Sequence, residues 1–209
     1  EVIEATEKLK RGLLEELLSR SNNLKIVKFS ELVKLRNEKS KLKQMNDDKY
    51  IGLEHIEQGG GRLLGFGNSS ETKSINSVFK KNDILFGKLR PYLRKYWKAE
   101  FDGVCTSELL IFKPYLESDI DFVLQLVQSE KFIQHSISKS FGTKMPRTDW
   151  KIISEFEIKL PSPEGRKHIA EILSAVDEKI SVNKKLKAKL TTLKKGLMQD
   201  LLSGEVRVK

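Results

Sequence analysis

Cysteine occurs once, at Cys105, which excludes an intrachain disulfide and fits a reducing compartment. Histidine is nearly as scarce: His55, His135 and His168 stand far apart, with no second His or Cys at ligand spacing, so no metal site is expected. No run approaches the roughly 18 apolar residues of a membrane span, and no signal-peptide pattern is visible. A soluble, cytoplasmic protein without membrane contact is therefore expected. The glycines of Gln58–Gly61 follow neither G-x-G-x-x-G nor G-x-x-x-x-G-K-[ST] spacing and read as a turn, so no nucleotide or other cofactor is expected. Cys105 lies in an apolar stretch and reads as a structural thiol. Asp102 and Glu108 could share a site, yet nothing nearby completes a mechanism. Binding without chemistry is the expectation.

What the chain has in excess is positive charge. Its 39 basic and 29 acidic residues leave a net charge of +10, which favours a polyanionic partner. Two stretches concentrate the excess. Lys80 to Lys98 holds seven basic residues against Asp83 alone, and Lys179 to Gln199 holds seven lysines and no acid. Within the first, Lys88, Arg90, Arg94 and Lys95 alternate with Tyr92, Tyr96 and Trp97. Guanidinium groups can fork onto phosphate oxygens or onto the O6/N7 edge of guanine, and Tyr can lie against sugar or base. The four cations are expected to act mainly as phosphate clamps. A second segment, 141–147, offers Thr143, Lys144 and Arg147 on a backbone stiffened by Pro146, which suits entry into a groove. The plain alternatives are a lysine-decorated edge strand for 88–97 and a merely solvated helix face for 179–199.

One unbroken helical pattern occupies 164–203. With Ile169 at heptad position a, Val176, Leu190 and Leu197 fall at a, Ile172, Leu186 and Leu193 at d, and Leu173, Ile180 and Leu201 at e. A lone rod cannot bury such a stripe, so a second helix must cover it. Part of the rod occurs twice. Residues 9–20 read LKRGLLEELLSR and residues 193–204 read LKKGLMQDLLSG, at an offset of 184. A glycine and its flanking register both match, which points to duplication of a unit made of one globule and one long helix. On that reading residues 1–20 are the end of a preceding helix, 21–163 the globule, 164–203 the rod and 204–209 a tail. The globule's pattern is α+β, mixed and mostly antiparallel, between a short N-terminal helix and the long coiled-coil helix at the C-terminal end. Strands are expected at KIVKF, Tyr50–Leu53, Asp83–Gly87, VCTSELLIF and Phe156–Leu160, and one helix from Asp119 to Ile133.

Together, Tyr50-Ile-Gly-Leu-Glu54, Asp83-Ile-Leu-Phe-Gly-Lys-Leu-Arg-Pro-Tyr-Leu-Arg-Lys95, Phe101-Asp-Gly-Val-Cys-Thr-Ser-Glu108, Gly142-Thr-Lys-Met-Pro-Arg147 and Leu160-Pro-Ser-Pro-Glu164 resemble the DNA specificity (S) subunit of type I restriction-modification systems. The ending KKGLMQDLLSGEVRV resembles that family as well. Asn82 stands where the family usually has glycine, and Gly165 where Gln usually follows Glu. The resemblance implies a target-recognition domain followed by a spacer helix, in a subunit that normally carries two of each. Each domain then reads one half of a split site in double-stranded DNA. The paired helices set the gap and dock the DNA methyltransferase (M) subunits and, through them, the restriction (R) subunit, where methylation and ATP-driven cleavage reside. With one domain and one rod, the chain is expected to form a homodimer through antiparallel rods, with Ile169, Ile172, Val176, Leu186, Leu190, Leu193 and Leu197 at the interface. The rival is half of a longer two-domain chain. Two other classes stay open: a coiled-coil adaptor whose basic globule binds an acidic protein, and a nucleic-acid-processing enzyme with an unfamiliar site.

Overall fold

The computed structural model describes residues 2–19, 25–40, 49–71, 76–138, 140, 142 and 145–203. The expected tail, Thr143 and Lys144 lie outside the described residues. Helix α1 (Val2–Ser19) leads to β1 (Lys25–Lys28), β2 (Val33–Leu35), β3 (Lys49–Ile51), β4 (Gly67–Asn68), β5 (Ser77–Phe79), β6 (Ile84–Gly87), β7 (Tyr96–Lys98), β8 (Gly103–Cys105) and β9 (Leu109–Pro114). Then come α2 (Ile120–Gln128), α3 (Glu130–Ser138), α4 (Trp150–Ser154), β10 (Glu157–Leu160) and the rod α5 (Pro163–Ser203).

Two four-stranded sheets, ordered β2-β9-β6-β7 and β4-β3-β8-β5, and the antiparallel pair β1-β10 make up the globule. Every pairing is antiparallel except β3 with β8. Period-two alternation explains the layering. In β6 and β9, Ile84, Phe86, Leu110 and Phe112 join a core with α2, α3, α5 and α1. Leu85, Leu109 and Ile111 turn the other way, onto Ile51, Phe79, Trp97 and Cys105. The central sheet is thus buried on both faces, between helices and the second sheet.

The expected helix from Asp119 to Ile133 is broken at Ser129, whose backbone is extended (ψ 147) and whose hydroxyl accepts from Phe132 N (3.2 Å). That cap starts α3 on a new axis. VCTSELLIF likewise splits, into β8 and β9, because residues 106–108 turn between them. Asn82 sits at φ 71, the left-handed region that glycine and asparagine tolerate best. Either residue therefore serves at that turn.

Burial pushes the Cys105 thiol up to about 12 from its ordinary 9.0. The folded state holds a proton that the unfolded chain releases, so this contribution is full below pH 9 and fades as pH rises from 9 toward 12. A thiol reagent at pH 8 should label Cys105 only in denaturant. Labelling of the native chain at a free-thiol rate would contradict the burial of β8.

Ser162 caps the rod, its Oγ accepting from Gly165 N (3.1 Å), and Pro163 occupies the first helical position. At 41 residues the rod is about 60 Å long. Among the described residues, the partner required by its apolar stripe is present for the first half only. α1 runs antiparallel to it, with Lys10 on Asp177 (2.5 Å) and Glu7 on Lys184 (2.9 Å). Together α1 and α2 bury Ile169, Ala170, Leu173 and Ile180 and half-bury Ile172 and Val176. Leu186, Leu190, Leu193 and Leu197 stand more than half exposed. Among the described residues no helix is long and apolar enough to cross a membrane.

Candidate nucleic-acid interface

Two cationic segments far apart in sequence come together as one ribbon. Arg90 N donates to Pro146 O (2.8 Å), Thr148 N to Lys88 O (3.0 Å), and Leu89 faces Arg147 across an antiparallel bridge. Lys88 N also donates to Glu108 O (2.9 Å), which ties the turn after β8 to the same place. At the far end Asp149 caps α4, its Oδ1 accepting from Ile152 N (2.9 Å). Arg147 is thereby held on a short tether between a ladder and a helix start. The three segments surround an open cavity of about 470 Å³ lined by Lys88, Glu108, Met145, Arg147 and Thr148.

The charges around this cavity are loosely committed. Arg147 faces Glu108 through Nε (3.2 Å) and a terminal nitrogen (3.4 Å), and its side chain is 53% exposed. Such a solvent-screened pair is worth at most about 1 kcal/mol, so a phosphate or base edge can displace it. No ion pair engages Lys88 or Arg90 among the described residues. Among the described residues, Arg90 Nε and Thr148 Oγ1 are buried without a hydrogen-bond partner, an arrangement that costs stability unless a ligand completes it. Arg90 and Arg94 both adopt left-handed backbone, φ 51 and φ 50, flanking the single turn Pro91–Leu93. Strain of that kind gathers at functional sites.

The other expected contacts lie elsewhere. Lys95 Nζ donates to Leu53 O (2.6 Å) and Ile56 O (2.9 Å), so it satisfies the carbonyls of a neighbouring turn instead of reaching outward. Arg94 pairs with Glu130, whose carboxyl is held below its usual range by the Gln134 amide first and by Arg94 second. Both therefore shape the ribbon's end. The segment 88–95 is a turn-bearing loop, and the strand that follows it, β7, is the sheet edge. Glu108 and Asp102, weighed together from the sequence, serve separate ends of β8: Asp102 accepts from Lys81 N (2.8 Å) and pairs with Lys80. Thr148 carried no sequence signal, since only the ribbon places it at the cavity, and Met145 was marked only as part of the Gly142–Arg147 segment. Among the described residues no group of three or more His, Cys, Asp and Glu could hold a metal ion.

Comparison with known proteins places the chain. The model of the type I restriction modification DNA specificity domain matches residues 22–192. The chain is similar to the type I restriction enzyme EcoDI specificity subunit of Escherichia coli, 27% identical over 81% of this chain and 38% of that protein. It is equally similar, at 27%, to the MjaVIII specificity subunit of Methanocaldococcus jannaschii, over 99% of this chain and 56% of that one. Among solved structures, the HsdS subunit from Thermoanaerobacter tengcongensis superposes with a TM-score of 0.62 at 15% identity, over 98% of this chain and 52% of that chain. The S subunit from M. genitalium does so with a TM-score of 0.64 at 17% identity, over 95% and 54%. These two likenesses establish a shared fold. The chain spans about half the length, or less, of the proteins it matches.

Proposed function

Because the chain belongs to the type I restriction modification DNA specificity family, we propose that its globule reads one half of a split double-stranded DNA target. The observation that carries this is the ribbon: Lys88 and Arg147 line one open cavity, Arg90 is tied beside it through Pro146 O, and none of the three is locked into a buried ion pair among the described residues. In this reading Lys88 and Arg90 hold phosphates and Arg147, released from Glu108, reaches a base edge. Arg94 and Lys95 keep the loop in shape. Lys144 and Thr143 stay with the proposal as neighbours of Arg147 in sequence. The chain contributes recognition, and its rod presents a docking surface to methyltransferase subunits, which carry the chemistry and in turn recruit the restriction subunit. A two-globule assembly, needed for a split site, arises when a second copy pairs its rod antiparallel with the first; such an isologous pair would favour a palindromic target.

Selection from a random DNA pool, followed by titration at several salt concentrations, tests the reading. Arg147→Ala is expected to lose about 1–3 kcal/mol of discrimination at one base pair. Lys88→Ala should weaken all sequences alike and reduce the salt slope by about one. Identical behaviour of the two variants would remove the division of labour. Failure of the unaltered chain to enrich any sequence would favour the adaptor reading, in which the basic globule binds an acidic protein.

A further inference from the structure

The same helical sequence occurs in two environments. In α1, Leu14 is 3% exposed and Leu13, Leu17 and Leu18 lie against the core. Their repeats at an offset of 184, Met198, Leu197, Leu201 and Leu202, are 51%, 53%, 46% and 84% exposed. Lys10, buried on Asp177 and Gln128, has Lys194 as its repeat. The far end of the rod is therefore a second copy of the helix that covers the near end.

We propose that α1 and the far end of α5 are interchangeable occupants of one surface, and that α1 gates self-association by holding the surface that a second copy's rod would take. This rests on the paired-rod reading above and adds its register and its control. Setting Lys194 of one copy on Asp177 of the other makes the pairing two-fold, with the axis beside Leu186. The same register sets Met198, the repeat of Leu14, against Leu173 of the other copy; Leu14 and Leu173 now share one core. It also brings Val182, Leu186 and Leu190, all more than half exposed, against their counterparts around the axis. α1 is the better occupant in the intact chain. Its Glu7 pairs with Lys184 and its Glu15 with Lys131, whereas the repeats are Thr191 and Gln199, which carry no charge. Tethering adds to this: a linked helix acts at an effective concentration of order millimolar.

The test places a protease recognition sequence between Ser19 and Lys25, so that the chain folds with α1 seated and loses its tether afterwards. The intact chain should sediment as a monomer at about 50 µM, where the tethered helix outcompetes a second chain. Cleavage lowers the local α1 concentration about twentyfold, from order millimolar to about 50 µM, and further on dilution; α1 should then dissociate on gel filtration, and the remainder should become a dimer. Lys194→Glu should return the cleaved protein to monomer, and Lys194→Glu with Asp177→Lys should restore the dimer. An intact chain already dimeric would overturn the gate while leaving rod pairing in place. A cleaved protein that loses α1, keeps Cys105 protected and stays monomeric would overturn both. Retention of α1 after cleavage, or a dimer indifferent to Lys194, would show that the two helices are not interchangeable. None of these outcomes bears on whether the globule reads DNA.

Discussion

Asp119→Ala is expected to lower the unfolding free energy by about 3–5 kcal/mol, the cost of leaving a buried charge without its partner. Arg166 and Asp119 expose 7% and 5% of their side chains, with Nε to Oδ1 at 2.8 Å, and Arg166 also donates to Pro161 O (2.9 Å). Removing the carboxylate strands the guanidinium between α5 and the turn before α2. Urea denaturation at neutral pH measures the loss. The double variant Asp119→Leu with Arg166→Met should recover most of it, because a well-packed apolar pair avoids the desolvation of both charges. A single-variant loss below about 1 kcal/mol would place the pair among weak surface contacts. The position matters beyond stability. Arg166 lies in the first turn of the rod, and a tilt of 5° there moves the far end by about 5 Å over a rod of this length. In the rod-paired dimer that forms once α1 is released, the double variant should thus be stable yet less exact in holding two globules apart, and a longer or broader spacing preference in DNA selection with the cleaved protein would show it.

Arg90→Gly is expected to move stability and binding in opposite directions. A left-handed non-glycine residue costs roughly 1–2 kcal/mol, and glycine removes that cost. The buried, unpartnered Nε of Arg90 disappears with the side chain, which adds to the gain. On the proposed reading the same change removes a charged contact to DNA and weakens binding by about 1–3 kcal/mol, roughly five- to 150-fold at fixed salt. Arg90→Ala separates the two effects, since it loses the contact and keeps the strain. Urea midpoints together with binding isotherms would report both. If Arg90→Gly gained stability and bound DNA undiminished, the strained arginine would be a quirk of the turn and no part of the reading surface.

Much of this could be read in the residues before any coordinates. Short continuous apolar runs announced β6 and β9, alternation announced β10, the glycine- and proline-free run announced the rod, and the repeat announced that α1 and the rod's end are kin. The candidate site was half legible. Lys88, Arg90 and Arg147 stood out by charge, but Arg94 and Lys95 stood out equally, and composition cannot tell a cation facing solvent from one spent on Glu130 or on the carbonyls of Leu53 and Ile56. Thr148 is an ordinary threonine until Lys88 O accepts from its amide.

Local pattern determined the two end helices, the core strands and which faces are apolar, because period and propensity are properties of neighbouring residues, but it announced neither the break at Ser129 nor the short elements β4, β7 and α4. That a second helix was needed along the rod followed from the same pattern. Which helix supplies it, and over which half, is a contact between residues more than 160 positions apart, Lys10 with Asp177, and only the tertiary structure could decide it. The same holds for the ribbon that joins Lys88 to Thr148 and for the ion pair that roots the rod. Long-range contacts depend on how the layers close over one another, and no window along the chain contains that information.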